Sequence, residues 1–438
     1  MLDRSDKNIP TDVLFHNVRL IDPATHRDEP GSLLVQNGKI ADIGKNLGRP
    51  DNTPIIDGGF AQGGAAILCP GLVDIRASLG EPGFEYRETV ASAARAASSS
   101  GITTLAALPD SRPALDDPAL IRLMTNLGHE TGALTVLPYG AVTRGCRGEE
   151  LAEIGLLREA GAIAFTDGQR AIADIRLMRL ALSYARGFGA MIVQHPEDPG
   201  LASGGAATES EQSMRMGLPG IPAAAEAIMV ARDIRLAELT GGTIHFAHIS
   251  TAEALELIRR AKHDGLPVTC DTAPPYFDLN ETAIGDFRTY AKLSPPLRPD
   301  ADRIAVGAAL ADGTIDAIAS DHQPRDADDK RLPFALATPG GAGLATLLGV
   351  TLAQVHGNNL ALMQALNLLT ASPAKTFGIQ AGTLAKGAPA DLCLFDLERA
   401  WKVEAGRLPG KSQNTPFDGR ALEGQVIGTW KAGRRVFG

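Results

Sequence analysis

The amino-acid sequence predicts an α/β protein that combines a (β/α)8 barrel with a small β-sandwich domain formed by its N- and C-terminal segments. Three observations predict this fold. Eight short apolar runs alternate with Ala-rich amphipathic stretches in the middle of the chain, alternating apolar and polar residues precede them, and Gly-rich β segments follow them. Strands that alternate with helices are typical of parallel sheets, and eight such units are typical of a closed TIM barrel.

The N-terminal part of the β-sandwich is predicted to span residues 1–69. Residues 13–22 and 32–44 alternate apolar and polar side chains, as strands with one buried face do. Asn37 and Gly38 tolerate positive φ and therefore favour a tight turn between two strands. This part of the chain is expected to be rich in hairpins.

The barrel is predicted to span residues 70–378, and the C-terminal part of the β-sandwich residues 379–438. The eight predicted barrel strands are 73–77, 102–108, 134–142, 162–167, 191–197, 243–250, 267–274 and 317–324. After Gly378 the chain returns to short β segments at 382–396 and 421–438. We therefore expect the two ends of the chain to pair in one domain.

Composition and charge restrict the class of protein. With 438 residues the chain is long enough for a barrel of about 250 residues and a smaller domain. Its 44% hydrophobic and 21% charged residues are typical of an ordinary globular protein. The net charge is −9 and no basic run is present, which argues against a nucleic-acid partner because such binding depends on Lys and Arg at phosphates.

The cysteines and the N-terminus favour a cytoplasmic location. Four cysteines lack CxxC spacing, and three of them lie in apolar runs where buried free thiols are expected. Residues 1–12 lack the apolar core of a signal peptide, and no run approaches the roughly 18 apolar residues of a membrane span. We expect no membrane association.

Polar side chains stand at the predicted carboxyl ends of several barrel strands, where such barrels carry their chemistry. His195 ends strand five, His248 ends strand six and Asp321 ends strand eight. This set is typical of a metal or acid/base site. By position alone, the two histidines are explained equally well as hydrogen-bonded core residues.

Eight segments carry a resemblance to a known family. They are 70–89, 101–113, 161–168, 193–198, 221–250, 292–303, 319–334 and 411–419. Together they resemble the bacterial dihydroorotase branch of the amidohydrolase superfamily over essentially the entire chain. The resemblance implies two metal ions, held by a His-x-His pair on strand one, a bridging residue on strand four, single histidines on strands five and six, and an Asp on strand eight.

Four of these family positions are retained, at Asp167, His195, His248 and Asp321. The resemblance implies that Asp321 is the ancestral general base. Gly168 stands where the family has a second Asp, which leaves the alignment of Asp167 open. A weak mononuclear zinc site built from the retained ligands is one alternative, since three protein ligands and a water suffice in catalytic zinc sites.

The His-x-His pair is absent from the sequence. Its two positions fall on Arg76 and Ser78. A guanidinium has no free lone pair and carries a positive charge, so Arg76 is expected to repel a metal ion. We hypothesise that Arg76 stands where a metal stood and pairs with Asp167 or Asp321.

The positions that contact substrate in the family are changed as well. The arginine that clamps the substrate carboxylate becomes Gly80, an Asn becomes Asp110, a second Asn becomes Ser294, and a His becomes Arg325. Removing one charge-assisted hydrogen bond typically costs about 1.5 to 3 kcal/mol. These changes, together with the missing metal ligands, predict that the protein does not hydrolyse dihydroorotate.

Some charged and flexible-looking segments are expected to face solvent. These are the loop around Glu88, the charge run 325–330, and the Gly-, Ser- and Met-rich segment 200–220, which is expected to form a mobile loop over the barrel mouth.

The sequence therefore predicts a non-catalytic, dihydroorotase-like protein of pyrimidine biosynthesis. The resemblance implies a structural partnership with the catalytic chain of aspartate carbamoyltransferase and a homo-oligomer. The first alternative is an active zinc-dependent dihydroorotase or another cyclic amidohydrolase with an altered mononuclear site. The second is a ligand-sensing barrel in which Arg76 and Arg325 hold a small anion.

Overall fold

The computed structural model of the protein describes residues 12–45, 47–59 and 66–438. The expectation that the N-terminus carries no signal-peptide core concerns residues 1–12. Residues 1–11 lie outside the described ranges. Within those ranges, no helix is both long and apolar enough to cross a membrane.

Strands and helices follow one another along most of the chain. The strands are β1 (Val13–Asp22), β2 (Arg27–Gln36), β3 (Lys39–Gly44), β4 (Ile55–Asp57), β5 (Ala66–Pro70), β6 (Leu72–Ala77), β7 (Ile102–Ala107), β8 (Thr135–Pro138), β9 (Met191–Gln194), β10 (Ala207–Thr208), β11 (Gly220–Ile221), β12 (Thr243–Phe246), β13 (Val268–Thr272), β14 (Ala317–Ile318), β15 (Leu392–Lys402), β16 (Ala421–Lys431) and β17 (Arg434–Phe437). The helices are α1 (Val90–Ser99), α2 (Pro118–Thr131), α3 (Ile154–Glu159), α4 (Ile175–Gly187), α5 (Pro199–Ala202), α6 (Glu211–Arg215), α7 (Ala224–Thr240), α8 (Ala252–His263), α9 (Pro274–Asp278), α10 (Asp300–Asp312), α11 (Ala327–Arg331), α12 (Leu347–His356), α13 (Leu362–Leu369) and α14 (Ala371–Phe377).

Several of the long barrel helices begin at side chains that accept hydrogen bonds from the first turn. Thr89 caps α1, Asp117 caps α2, Asp174 caps α4 and Thr251 caps α8, each through an oxygen that accepts from a backbone N–H. These N–H groups have no partner within a helix, so the caps fix where each helix leaves its strand.

The barrel closes through two parallel sheets and three single bridges. Strands β6, β7 and β8 form one sheet, and β9, β12, β13 and β14 form the other. Phe165 bridges Gly140 on one side and Ile192 on the other, and Ala77 bridges His322 across the remaining gap. The predicted (β/α)8 barrel is therefore confirmed.

Two predicted barrel strands are much shorter than expected. Strand four, predicted at 162–167, forms bridges only at Phe165. Strand eight, predicted at 317–324, ends at Ile318 as β14. Asp321 has a φ of 44°, which takes the backbone out of the extended conformation.

The ends of the chain form one sheet domain, as predicted. Its strand order is β17-β16-β15-β5-β1-β2-β3, with β4 beside β1. The two ends join where β5 runs antiparallel to β15, with Cys69 opposite Cys393. Asn37 and Gly38 form the expected turn, with φ values of 52° and 73°.

The link between β15 and β16 leaves the sheet domain and returns to the barrel. The backbone N–H of Lys411 donates to Glu88, and the Asn414 side chain donates to the carbonyls of Gln323 and Gly340. Residues 403–420 thereby cover part of the barrel mouth, although they fall in the segment predicted for the β-sandwich. The segment 200–220, expected as a loop, carries α5, α6 and the paired strands β10 and β11.

Replacing Phe15 by Ala should destabilise the sheet domain. The Phe15 ring packs edge-on against Trp430, 4.8 Å between centroids, and joins the N- and C-terminal strands in one core. We expect a loss of about 3 to 5 kcal/mol in the free energy of unfolding. Trp430 lies in this core, in β16, so tryptophan fluorescence during urea unfolding includes a signal from this domain.

The matched control is Met214→Ala, because this side chain is 72% exposed. It should change the free energy of unfolding by less than about 0.5 kcal/mol. Equal effects of the two substitutions would contradict a shared core for the two ends of the chain.

Candidate active site

The retained family positions lie at the carboxyl ends of the barrel strands. His195 follows β9, His248 lies beyond β12, and Asp321 lies beyond β14. Arg76 is in β6 and precedes Ala77, which bridges to His322 and so joins the first barrel strand to the last. The structure brings these four side chains into one buried cluster.

Arg76 occupies the centre of this cluster and is only 1% exposed. Its Nε donates to Asp321 Oδ1 at 3.0 Å, and its Nη2 donates to the Gly168 carbonyl at 2.9 Å. Its Nη1 is buried without a hydrogen-bond partner among the residues described. Of the two partners hypothesised for Arg76, the structure selects Asp321.

A chain of polar contacts continues from Asp321. Its Oδ2 lies 3.2 Å from His248 Nδ1, and His248 Nε2 lies 2.6 Å from His195 Nδ1. His195 Nε2 then faces Glu197 Oε2 at 3.7 Å. Because the Asp321 carboxylate only accepts, we place a proton on His248 Nδ1, which leaves His248 Nε2 to accept from His195 Nδ1.

His248 and Asp321 are held in strained backbone conformations. Their φ values are 41° and 44°, in the left-handed region that non-glycine residues rarely adopt. Asp271 accepts a hydrogen bond from the His248 backbone N–H at 2.7 Å, and Gln323 Nε2 donates to both oxygens of Asp321 at 3.1 Å. These contacts offset the strain and hold both side chains in the cluster around Arg76.

Asp167 does not join the cluster, which corrects its assignment as an inward ligand. Its carboxylate accepts from the backbone N–H groups of Val142 and Thr143 at 3.0 and 2.9 Å, and from the Thr143 hydroxyl. Gly168, the next residue, presents its carbonyl to Arg76 instead. The residue after strand four that contacts Arg76 is therefore Gly168, which offers a backbone carbonyl and has no carboxylate.

Two of the altered positions form a contact with each other. The Ser78 hydroxyl donates to Asp110 Oδ2 at 2.8 Å. Gly80 has a φ of 74°, and a Cβ there would lie 2.9 Å from the Phe84 carbonyl oxygen and overlap that of Glu88. An arginine clamp at position 80 does not fit this backbone.

The remaining altered positions are also satisfied within the protein. The Ser294 hydroxyl donates to Glu197 Oε2 at 3.1 Å. Arg325 Nε donates to the Pro339 carbonyl at 2.7 Å. Arg76 and Arg325 thus both have protein acceptors, which weakens the alternative in which they hold a small anion.

The expectation of solvent exposure is wrong for Glu88 and, within the charge run 325–330, for Lys330. Glu88 is buried and accepts hydrogen bonds from the Ser92 hydroxyl and the Lys411 backbone. Lys330, in the charge run 325–330, is buried with its Nζ donating to the carbonyls of Thr289 and Lys292, and burial lowers its pKa to about 7.

The donor set in this cluster does not fit a metal ion. Two imidazole nitrogens that share a tetrahedral zinc lie about 3.3 Å apart, given zinc–nitrogen distances of about 2.0 to 2.1 Å. The facing nitrogens of His195 and His248 are 2.6 Å apart, a hydrogen-bond distance. The Arg76 cation adjoins the Asp321 carboxylate, and the described part of the chain has no group of three or more His, Cys, Asp or Glu arranged to hold a metal.

The electrostatics of the cluster favour one protonation state. Burial opposes ionisation of Asp321, but His248 and the Arg76 guanidinium outweigh it and hold the pKa of this carboxyl well below its usual value. Burial lowers the pKa of His248 to about 4, with Asp321 opposing and Arg76 adding to the shift. At neutral pH the cluster therefore contains the Arg76 cation, the Asp321 carboxylate and a neutral His248.

The space beside Asp321 is small. The cavity there has a volume of about 10 Å3, close to that of a single water position, and its lining includes Pro416 and Phe417 from the returning link. A substrate-sized molecule has no room at this carboxylate in the conformation described.

Comparison with known proteins decides the family. Residues 65–254 match the model of the dihydro-orotase-like family, and residues 292–437 match that of the amidohydrolase family. A dihydroorotase from Pelobacter propionicus is 43% identical over 97% of this chain and 99% of its own. The chain belongs to the dihydroorotase branch of the amidohydrolase superfamily.

Other relatives support the same family assignment. A dihydroorotase from Citrifermentans bemidjiense is 41% identical over 97% of the chain and 99% of its own. Among solved structures, an L-hydantoinase from Arthrobacter aurescens matches with a TM-score of 0.85 and 25% identity, covering 97% of this chain and 96% of its own. A dihydropyrimidinase from Brevibacillus agri, at 22% identity and a TM-score of 0.82, covers 97% of this chain and 95% of its own and shows the same fold.

Several residues that shape this dihydroorotase-family site were not singled out from the sequence. Asp271 orients the His248 backbone, Gln323 bonds to Asp321, and Glu197 faces His195. Each lies in a segment predicted as a barrel strand. Their roles depend on which strand faces which, and no sequence pattern carries that information.

In this dihydroorotase-family protein, Arg76→Met should be strongly destabilising. It leaves the buried Asp321 carboxylate without its cation, which typically costs about 3 to 5 kcal/mol. Urea unfolding followed by circular dichroism measures the change. Adding Asp321→Asn should restore most of the stability, because the uncompensated charge is then removed.

The control is Arg144→Ala, since Arg144 is exposed and lies 3.8 Å from Glu150 and 3.9 Å from Glu153. It should cost less than about 1 kcal/mol. If Arg76→Met were as mild as Arg144→Ala, the ion pair would not support the cluster.

The low pKa of His248 should make stability depend on pH. Between the ordinary value of 6.5 and the folded value of about 4, the unfolded chain binds a proton at His248 that the folded chain does not. Stability from this residue therefore falls as pH decreases through that window, by at most about 1.4 kcal/mol per unit. The pKa of Asp321 is lowered from 3.8, so the stability that its ionised carboxylate contributes is lost as the pH falls below about 4.

The measurement is the free energy of unfolding from pH 7 to about pH 4, in the wild type and in His248→Gln. The variant keeps hydrogen-bonding groups but does not titrate, so its stability should fall less on acidification. The difference between the two proteins isolates His248 from other titrating groups. Identical pH profiles would show that His248 does not titrate differently in the folded state.

Proposed function

We propose that this protein is a dihydroorotase-like component of pyrimidine biosynthesis that does not hydrolyse dihydroorotate and acts as a structural partner of the catalytic chain of aspartate carbamoyltransferase. The observation that carries the first part is the buried Arg76, paired with Asp321 at the position where the family resemblance implies a metal ligand. The relatives named dihydroorotase support the pathway.

The ion pair makes Asp321 a poor general base. A base must be free to take a proton near neutral pH. Here both Asp321 oxygens accept from Gln323, one also accepts from Arg76, and the pKa of the carboxyl is held well below its usual value. The cavity of about 10 Å3 beside it leaves no room for the ring of a substrate.

The partnership is proposed on different grounds. The barrel core and the sheet domain are complete, whereas the centre of the barrel carries an arginine in place of a ligand. A fold retained without its reaction is well suited to present a surface, and stable interfaces need about 800 Å2 from each partner. The identity of the partner, and a homo-oligomer of this chain, follow from the family resemblance alone.

The first test measures zinc content and dihydroorotate hydrolysis on one preparation of the purified full-length protein. We expect less than about 0.1 equivalent of zinc by mass spectrometry and no turnover, because the guanidinium stands where a cation would bind. Near-stoichiometric zinc together with turnover would overturn the non-catalytic proposal and favour an active cyclic amidohydrolase.

The second test uses purified catalytic chain of aspartate carbamoyltransferase from the same organism. We expect the two proteins to coelute in size-exclusion chromatography, and light scattering to give a mass that also reports self-association. An intact dihydroorotase-family barrel with a metal centre serves as the control for nonspecific association. Separate elution at concentrations of about 10 μM would contradict the partnership.

A further inference from the structure

Two cysteines face each other where the N- and C-terminal segments of the chain join. Strand β5 pairs antiparallel with β15, and in this register Cys69 lies directly opposite Cys393. Directly opposite residues of a strand pair point to the same face of the sheet. Both side chains pack in the hydrophobic core of the barrel rather than in that of the sheet domain. The two thiols therefore lie where the two domains meet.

The spacing of these two strands fits a disulfide bond. Directly opposite residues of antiparallel strands have Cα atoms about 4.5 to 5.5 Å apart. Disulfide bonds join residues whose Cα atoms are about 4.4 to 6.8 Å apart. The thiols also contact each other: a hydrogen bond between Cys69 and Cys393, together with burial, raises the pKa of the Cys69 thiol well above its ordinary value. The two sulfur atoms are therefore neighbours already in the reduced protein.

The folded protein covers both thiols completely. Cys69 and Cys393 are each 0% exposed. A Cβ on Gly101, the residue before β7, would overlap Cys393 Sγ, so the sulfur fills space that a side chain at Gly101 would take. Thiol–disulfide exchange requires access of the reagent to the sulfur. A disulfide at this place is therefore expected to form before the two domains close over it, and to resist soluble reductants afterwards.

The other two cysteines of the chain are directed at backbone carbonyls instead. Cys270 is buried in β13, and its Sγ donates to the Thr314 carbonyl at 3.4 Å. Cys146 is partly buried, and its Sγ donates to the Pro109 carbonyl at 3.8 Å. All four cysteines are free thiols in the structure. Cys270 is thus a buried thiol against which the facing pair can be compared.

We propose that Cys69 and Cys393 form an intrachain disulfide when the protein folds in the presence of a low-molecular-weight disulfide such as glutathione disulfide, and that this bond joins the two ends of the chain covalently. One cysteine thiolate attacks a sulfur of glutathione disulfide, which releases one glutathione and leaves a mixed disulfide. The second cysteine thiolate attacks the protein sulfur of this mixed disulfide and releases the second glutathione. The two thiol protons pass to the released glutathione thiolates, and the two electrons reduce glutathione disulfide.

The bond should stabilise the folded protein. It would close a loop that contains the whole barrel, and in the chain-entropy account the stabilisation grows with the length of the closed loop. The strands it joins are already paired, so the bond adds to an existing contact. This proposal does not depend on the proposed function, because the stability of the chain can be measured whether or not the barrel is catalytic.

The experiment refolds the reduced full-length protein from urea, either in a buffer of reduced glutathione and glutathione disulfide or in reduced glutathione alone. Free thiols are then alkylated, and peptides are mapped by mass spectrometry without reduction. After refolding with glutathione disulfide, we expect the peptides of Cys69 and Cys393 to be linked and Cys270 to be alkylated. In urea unfolding, the equilibrium constant for unfolding of this sample should be at least about tenfold lower than that of the reduced sample.

Variants test whether the gain in stability comes from this pair. Cys69→Ser and Cys393→Ser should each abolish the difference in stability between the two refolding buffers, because each removes one sulfur of the bond. The matched control is Cys270→Ser, which also removes a fully buried thiol from a strand and should keep the difference. Cys69→Ala and Cys393→Ala serve the same purpose if a buried hydroxyl prevents folding.

Three results would overturn the proposal. The first is that Cys69 and Cys393 are recovered unlinked, either alkylated or each carrying a glutathione, after refolding with glutathione disulfide. The second is a disulfide that joins a different pair of cysteines. The third is an equal stability of the linked and the reduced protein. The peptide map of the wild-type protein needs no variant, so it decides the first two points even if every substitution prevents folding.

Discussion

The buried ion pair between Arg76 and Asp321 is the interaction on which the centre of the barrel depends. It spans the seam between the first and last barrel strands, which the described backbone joins through a bridge at Ala77 rather than a long ladder. Side-chain contacts complete this seam: Asp74 accepts from the Ser320 backbone N–H at 2.9 Å and from its hydroxyl. A metal ion implied by the family would neutralise the same carboxylate. Here the guanidinium does so, with a fixed charge and a directional hydrogen bond.

The altered positions form contacts within the protein, so they are best understood as a coupled set. Ser78 donates to Asp110, and Ser294 donates to the glutamate that faces His195. Neighbours in one hydrogen-bonded network contribute non-additively to stability. Restoring one ancestral residue would therefore leave a partner unsatisfied, and at Gly80 the backbone itself excludes a side chain. In the structure, the side chains at the centre of the barrel are arranged around the Arg76 cation.

Sequence periodicity predicted the barrel, the paired ends of the chain and the strand ends that meet at the site, because these follow from local patterns of burial. It did not predict which way the Asp167 side chain points, because this depends on the turn after strand four and on the backbone N–H groups of a neighbouring loop. It also placed Glu88 in solvent, since the segment that buries it lies 323 residues further along the chain. Long-range contacts decide burial in loops, and a single sequence does not record them.

Two cavities of different size lie beside Asp321 and Glu197. The space beside Asp321 is about 10 Å3 and the cavity beside Glu197 about 470 Å3. Buried polar atoms without a partner among the residues described occur near both, on Arg76 at the first and on Gln169 and Glu197 at the second. His195 stands between the two, bonded to His248 on one side and lining the larger cavity on the other. A molecule in the larger cavity would therefore lie next to the histidine that connects this cavity to the charged cluster.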